Sequence, residues 1–129
     1  ERFFFGEEDF EFSMRMIERD VHMACVLNSQ IYHKVGASGN KMNSVGKLYM
    51  HYLNRYIDVR QHMTGCSFAL WRLLNFPLVM RYFYRATRSI KTTYKLYRQL
   101  RKEAITKDGV SQEDFNRLVL EHSYFSFDV

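Results

Sequence analysis

The stretch Met42-Asn43-Ser44-Val45-Gly46-Lys47-Leu48-Tyr49-Met50-His51-Tyr52-Leu53-Asn54-Arg55-Tyr56-Ile57-Asp58 decides the reading of the fold. Val45, Leu48, Tyr49, Tyr52, Leu53, Tyr56 and Ile57 recur with a helical period, while Lys47, Asn54, Arg55, Asp58 and Gln61 fall on the opposite side. The period predicts an amphipathic helix over residues 42–63 in a mainly helical fold.

Working outward, Gly65 ends that helix and residues 67–75 are strongly apolar up to Pro77, which either kinks a continuous helix or begins a new one; a helix on each side is the reading adopted. Beyond it, Met80, Phe83, Ile90, Tyr94, Tyr97 and Leu100 mark one stripe, and Arg81, Arg85, Arg88, Lys95 and Lys102 mark another. The two stripes predict one basic, aromatic amphipathic helix. Lys107-Asp108-Gly109 reads as a turn, and Ser111 as the N-cap of a last short helix through Phe115, Leu118, Val119 and His122, with Asp114 completing a capping box. Upstream, Phe10, Met14 and Ile17 predict a short helix over 7–19 behind an acidic first turn. Val21, Val26, Leu27, Ile31 and Tyr32 around Asn28-Ser29 predict two short strands, followed by a loop over 35–40. The fold class is therefore mainly α with a small β element, divided at about residues 40 and 104 into an N-terminal piece, a basic helical segment and a short C-terminal helix with its tail.

Composition narrows the function. The 129 residues carry 19 basic and 14 acidic side chains, with 47% hydrophobic residues, which excludes a disordered tail. No charge-free run approaches the roughly 20 apolar residues of a membrane span. Cys25 and Cys66 could form one disulfide at most, so a reducing compartment is expected. The charge is unevenly placed: residues 1–58 carry 7 basic and 8 acidic side chains, 59–102 carry 10 and none, and 103–129 carry 2 and 6. A segment that holds all the excess positive charge is built to face something anionic. The chain does not start with Met and opens on Phe3-Phe4-Phe5, which suits the end of a buried strand and suggests an upstream part.

Chemistry-bearing residues concentrate in the first forty positions. Gly6-Glu7-Glu8-Asp9-Phe10-Glu11 packs four carboxylates into five positions, either a solvated helix N-terminus or a site where crowded like charges tune a general base. His33 follows a strand-like segment and precedes a glycine-containing loop, where a strand end presents an imidazole. His22, Cys25 and His33 lack the paired spacing of a zinc site. No phosphate-cradling glycine loop and no nucleophile-elbow motif is present.

Phe3-Phe4-Phe5-Gly6-Glu7-Glu8-Asp9-Phe10-Glu11-Phe12-Ser13-Met14-Arg15, followed by Ile31-Tyr32-His33-Lys34-Val35-Gly36-Ala37-Ser38, resembles the second half of a family 2 glycosyltransferase of the GT-A fold. Leu48-Tyr49-Met50-His51-Tyr52-Leu53-Asn54-Arg55-Tyr56 is similar to the Tyr-rich helix that follows in rhamnosyltransferase-like and capsule-synthesis members, although Leu53 stands where they often have Arg. Glu11 replaces the commoner Asp of the acidic motif. The likeness covers about residues 3–62 and implies that the chain is the C-terminal part of a GT-A domain followed by amphipathic helices. It implies inverting sugar transfer from a nucleotide-sugar donor to a saccharide or lipid-linked acceptor. Asp9 would be the general base, Glu8, Glu11 and Arg15 would bind the acceptor or support the site, and Arg55 would contact the diphosphate. His33 would be a ligand of a divalent cation, Mn²⁺ or Mg²⁺. The donor-binding half, with its Asp-x-Asp motif, does not occur in these 129 residues, so the chain alone is expected to be inactive.

For residues 67–104 two readings stand side by side: a helical hairpin covering the apolar side of 45–57 with a solvated basic stripe, and an element lying on an anionic membrane surface through Trp71, Arg81, Arg85 and Arg88. Nucleic acid is the least favoured partner, and a homo-oligomer stays open. The resemblance favours a cytoplasmic enzyme peripheral at the inner face of the cell membrane. The rival from another class is a non-enzymatic helical interaction module that uses the acidic cluster and the basic stripe for partner binding.

Overall fold

The computed structural model describes residues 6–30, 32 and 44–120. Five α-helices follow in order: α1 (Glu8–Glu18), α2 (Ser44–His62), α3 (Gly65–Thr87), α4 (Ile90–Thr106) and α5 (Gln112–Phe115), the last running into a π-helical turn at Asn116–Leu120. The chain is mainly helical, and among the described residues no strand forms. Residues 21–30 are irregular, with a turn at Leu27 and Asn28, so the strands expected there are absent over those positions. The loop expected over 35–40, the Phe3–Phe5 run and His122 lie outside the described residues.

α2 forms as its period predicts, and it is the hub of the described residues. Tyr49, Met50, Leu53, Tyr56 and Ile57 are fully buried, and α3, α4 and the π-helical turn all pack on it. Phe83 and Val79 from α3, Leu96, Tyr97 and Leu100 from α4, and Leu118 and Val119 complete one continuous core. Its centre is aromatic: Phe83 meets Tyr52 edge-on with centroids 5.7 Å apart, and Trp71 meets Tyr56 edge-on at 5.0 Å. Each buried large apolar side chain contributes about 1.5–3 kcal/mol. At Gly46 a Cβ would stand 2.1 Å from the Leu118 carbonyl oxygen, so only glycine lets the C-terminal turn lie against α2.

Two boundaries differ from the sequence expectation. Pro77 is inside α3, which runs through it without a break. Phe68 and Trp71 before the proline, and Val79 and Phe83 after it, all pack toward α2, so a continuous helix keeps both halves on the core. Burial of that face offsets the roughly 3 kcal/mol that an interior proline costs. The break falls instead at Arg88, whose φ of 55° is left-handed and whose N–H donates to the Tyr84 carbonyl. Ser89 then caps α4 by accepting from the Thr92 N–H at 3.3 Å. The single helix expected after residue 77 is therefore the end of α3 plus α4, and the stripe loses phase at the junction: Phe83, Tyr97 and Leu100 are buried, whereas Ile90 and Tyr94 are exposed.

The far end is closed by polar contacts. Arg60 donates to the carbonyls of Ile105 and Lys107, both at 2.8 Å, and to Asp108 Oδ1 at 2.8 Å, satisfying carbonyls that the end of α4 leaves open. The capping box of α5 is present, with the Asp114 N–H donating to Ser111 Oγ at 3.2 Å and the Ser111 N–H donating to Asp114 Oδ2 at 3.3 Å. Burial alone would push the Asp114 carboxyl up; its bonds to Lys107 and Ser111 outweigh that and hold it below its ordinary value.

Candidate functional site

The acidic run is held by a two-residue left-handed turn, Gly6 at φ 79° and Glu7 at φ 68°, which starts α1 at Glu8. Two residues of α2 grip that turn. Asn54 Nδ2 donates to the Gly6 carbonyl at 3.3 Å, and Arg55 Nε lies 2.8 Å from Glu7 Oε2 in an ion pair. His51 Nδ1 stands 3.5 Å from the other Glu7 oxygen, and the Glu7 side chain is only 4% exposed. The Arg55 guanidinium also lies over the Phe10 ring, 5.1 Å from its centroid.

Along α1 the same division continues. Glu11 is buried and accepts from Arg15 Nε at 2.9 Å. At the end of the helix Glu18 Oε1 meets His62 Nδ1 at 2.6 Å, and His62 Nε2 stands 3.4 Å from Asp58 Oδ1. Asp58 is fully buried, and neither of its oxygens has a hydrogen-bond partner. Burial pushes its carboxyl above the ordinary value; His62 and Arg55 pull it down, while Glu7 and Glu11 push it further up.

The carboxylates are thus sorted into two sets. Glu7 and Glu11 face inward against arginines, whereas Glu8 and Asp9 are exposed on the outer side of the first turn. Asp9 therefore stands where a hydroxyl nucleophile could approach it, with Glu8 next to it. Arg15 is engaged by Glu11, and Arg55 by Glu7 and Phe10. Trp71 is half-buried between Tyr56 and Phe68, while Arg81, Arg85 and Arg88 are exposed. His33 lies outside the described residues. Cys25 and Cys66 are exposed and unlinked.

The apolar period of α1 is turned outward. Of the three residues whose spacing predicts the helix, Phe10 is 38% exposed and Ile17 62%, and Met14 is half-buried. The reason is the surface α1 lies on, which is the polar side of α2 with Asn54, Arg55, Asp58 and His62. Complementary charge, not apolar burial, seats the helix. Phe12, Val21, Met23, Val26, Leu27 and Tyr32 are exposed as well. Sequence reasoning missed the Glu7–Arg55 and Glu18–His62–Asp58 pairings; the i, i+4 spacing of Asp58 and His62 on the polar side of α2 was the available signal.

Among the described residues no three His, Cys, Asp or Glu side chains converge on a point that could hold a divalent cation, and the inward acids Glu7 and Glu11 are paired with guanidinium groups. Among the described residues no helix is long and apolar enough to cross a membrane. Comparison with known protein families, with curated proteins and with solved structures finds no match to this chain.

Proposed function

We propose that the chain is the acceptor-side part of an inverting glycosyltransferase that moves a sugar from a nucleotide-sugar donor to a saccharide or lipid-linked acceptor, with Asp9 as the general base. The observation that carries the reading is the surface around α1. Phe10, Phe12, Ile17, Val21, Met23, Val26, Leu27 and Tyr32 are each exposed, in the same N-terminal stretch that carries the outward carboxylates Glu8 and Asp9. Apolar surface on that scale marks a place where further protein packs. In this reading the donor-binding half of a GT-A domain covers it, and Asp9 lines the cleft between the two.

The division of the acids supports the same role. A base for a hydroxyl must reach its substrate while the acids around it stay fixed. The Glu7–Arg55 pair and the Asn54–Gly6 hydrogen bond fix the turn from below, and Glu11–Arg15 holds the inner face. As the acceptor oxygen attacks the anomeric carbon, its proton passes to an Asp9 carboxylate oxygen and the nucleoside diphosphate leaves. Glu8, adjacent and exposed, orients the acceptor sugar. A divalent cation would neutralise the leaving diphosphate; His33 is the one residue of this chain assigned to it, and Arg55, already paired, serves the scaffold first. The enzyme is placed in the cytoplasm, peripheral at the inner face of the membrane.

The test uses the chain extended by the coding sequence upstream of Glu1. Sugar transfer from a nucleotide donor is expected from the extended chain and not from the 129 residues alone. Asp9→Asn should lower kcat by about 10² to 10⁴. Full activity of Asp9→Asn would overturn the base assignment, transfer by the 129 residues would overturn the need for an upstream half, and no transfer by the extended chain would leave the interaction-module reading in its place.

A further inference from the structure

α3 carries a second exposed apolar surface, and its setting is the reverse of the first. Leu70, Leu74, Leu78, Arg81 and Arg85 follow one another at spacings of four and three, so they form one stripe along the helix, and Arg88 caps its end. Leu70 is 59% exposed, Leu74 67% and Leu78 45%, and Leu73 beside them is 69% exposed. By the rise of an α-helix the leucines span about 12 Å and the arginines a further stretch of about 10 Å. One face is therefore apolar for half its length and cationic for the rest.

The groove between α3 and α4 extends the pattern sideways. Ala69, Arg72, Leu73, Phe76, Tyr97 and Arg101 line an open groove of about 370 Å³, bordered on α4 by a second one lined by Arg98, Arg101, Lys102 and Ile105. Leu73 belongs both to the leucine ridge and to this groove. The ridge is thus flanked by cations along the helix and across the groove, and residues 59–102 contain no carboxylate at all.

We propose that this face is a docking surface for an anionic lipid bilayer: the leucine ridge enters the acyl boundary, Arg72 and Arg101 hold lipid phosphates in the groove, and Arg81, Arg85 and Arg88 rest on the headgroups. An apolar ridge with a basic border and no acid is what an anionic leaflet matches on both counts. A second copy of the chain matches only one, because it would bring arginines onto arginines with no carboxylate on α3 to answer them. Nucleic acid would leave the leucines in water. The α1 surface does not compete for the bilayer, since Glu8, Asp9, Glu18 and Asp20 border it. The expected aromatic anchor is also replaced: Trp71 is engaged with Tyr56 and Phe68, and the leucines do the inserting. The assignment rests on the peripheral placement in the proposed function but not on its chemistry, so vesicle binding and sugar transfer can fail independently.

The test is flotation of the 129-residue chain with vesicles of phosphatidylcholine alone and of phosphatidylcholine with phosphatidylglycerol. Binding is expected only to the anionic vesicles. Leu73→Ser with Leu74→Ser should lower it by about tenfold, and Arg72→Gln with Arg101→Gln by about tenfold. The leucines are exposed, so these variants keep the fold, and thermal melts followed by circular dichroism check that. Three results would overturn the proposal: equal binding to both vesicles, leucine variants that bind like the parent, or elution from the vesicles by inorganic phosphate at matched phosphate concentration. Sedimentation showing a dimer that the leucine substitutions dissolve would assign the face to a second copy instead.

Discussion

Arg55 Nε lies 2.8 Å from Glu7 Oε2, and this ion pair ties the acidic turn to the central helix. The Glu7 side chain is 4% exposed and that of Arg55 36%, so removing the arginine strands a nearly buried carboxylate. Arg55→Ala should therefore destabilise the fold by about 2 kcal/mol, less than for a fully buried pair. Adding Glu7→Gln to Arg55→Ala should recover most of the loss, since the stranded charge is then gone. Urea denaturation of the two single variants and the double variant measures the coupling; strictly additive losses would refute it.

Asp58 makes stability depend on pH. Its folded carboxyl titrates above the unfolded one, because burial disfavours the charge and Glu7 and Glu11 add to that against the pull of His62 and Arg55. The stability tied to its protonated form is fully present below the unfolded value and is lost as pH rises toward the folded one. Asp58→Asn removes this loss. The variant should be more stable than the parent at pH 7, and the two should converge as the pH falls below the ordinary carboxylate range. Thermal melts across pH test it, and a gap that widens on acidification would contradict it.

Gly46→Ala pushes a methyl group into the backbone of Leu118, 2.1 Å from its carbonyl oxygen and 2.9 Å from its carbonyl carbon. Backbone cannot rotate away as a side chain can, so the variant should lose about 3 kcal/mol. Urea unfolding of the variant is the measurement.

Pro77 is exposed within a continuous helix, where it offers no N–H to the carbonyl four residues earlier. Pro77→Ala should raise stability by about 1–3 kcal/mol. A thermal midpoint at or below that of the parent would show that the proline relieves something in α3 that alanine does not.

What could be read from the sequence was what short-range pattern encodes. The stripe of α2 and the Ser111–Asp114 cap depend on neighbours within one or two turns, and both appear as expected. The seating of α1 depends on residues of α2 far along the chain. Its apolar period puts Phe10, Met14 and Ile17 on one side, but pairing of Glu7 with Arg55 and of Glu18 with His62 seats the helix with Glu11 buried and Phe10 and Ile17 exposed. Pro77 misled for a similar reason, because packing of Val79 and Phe83 on α2 overrides the local signal. Of the candidate site, Asp9 is exposed on the first turn of α1. The engagement of Arg15, Arg55 and Trp71 became visible only with their partners in place.

The clamp on the acidic turn also shapes how the molecule opens. α2, α3 and α4 share one apolar core, whereas α1 is attached through Glu7, Glu18 and the Gly6 carbonyl, contacts that water can replace one at a time. Weakly attached elements unfold locally at a free energy below that of global unfolding. Amides of α1 should accordingly exchange with solvent hydrogen faster than those of α2, and should do so without melting the bundle. The helix that carries Asp9 and the scaffold that carries the leucine ridge are then separate cooperative units, able to order and disorder on different schedules.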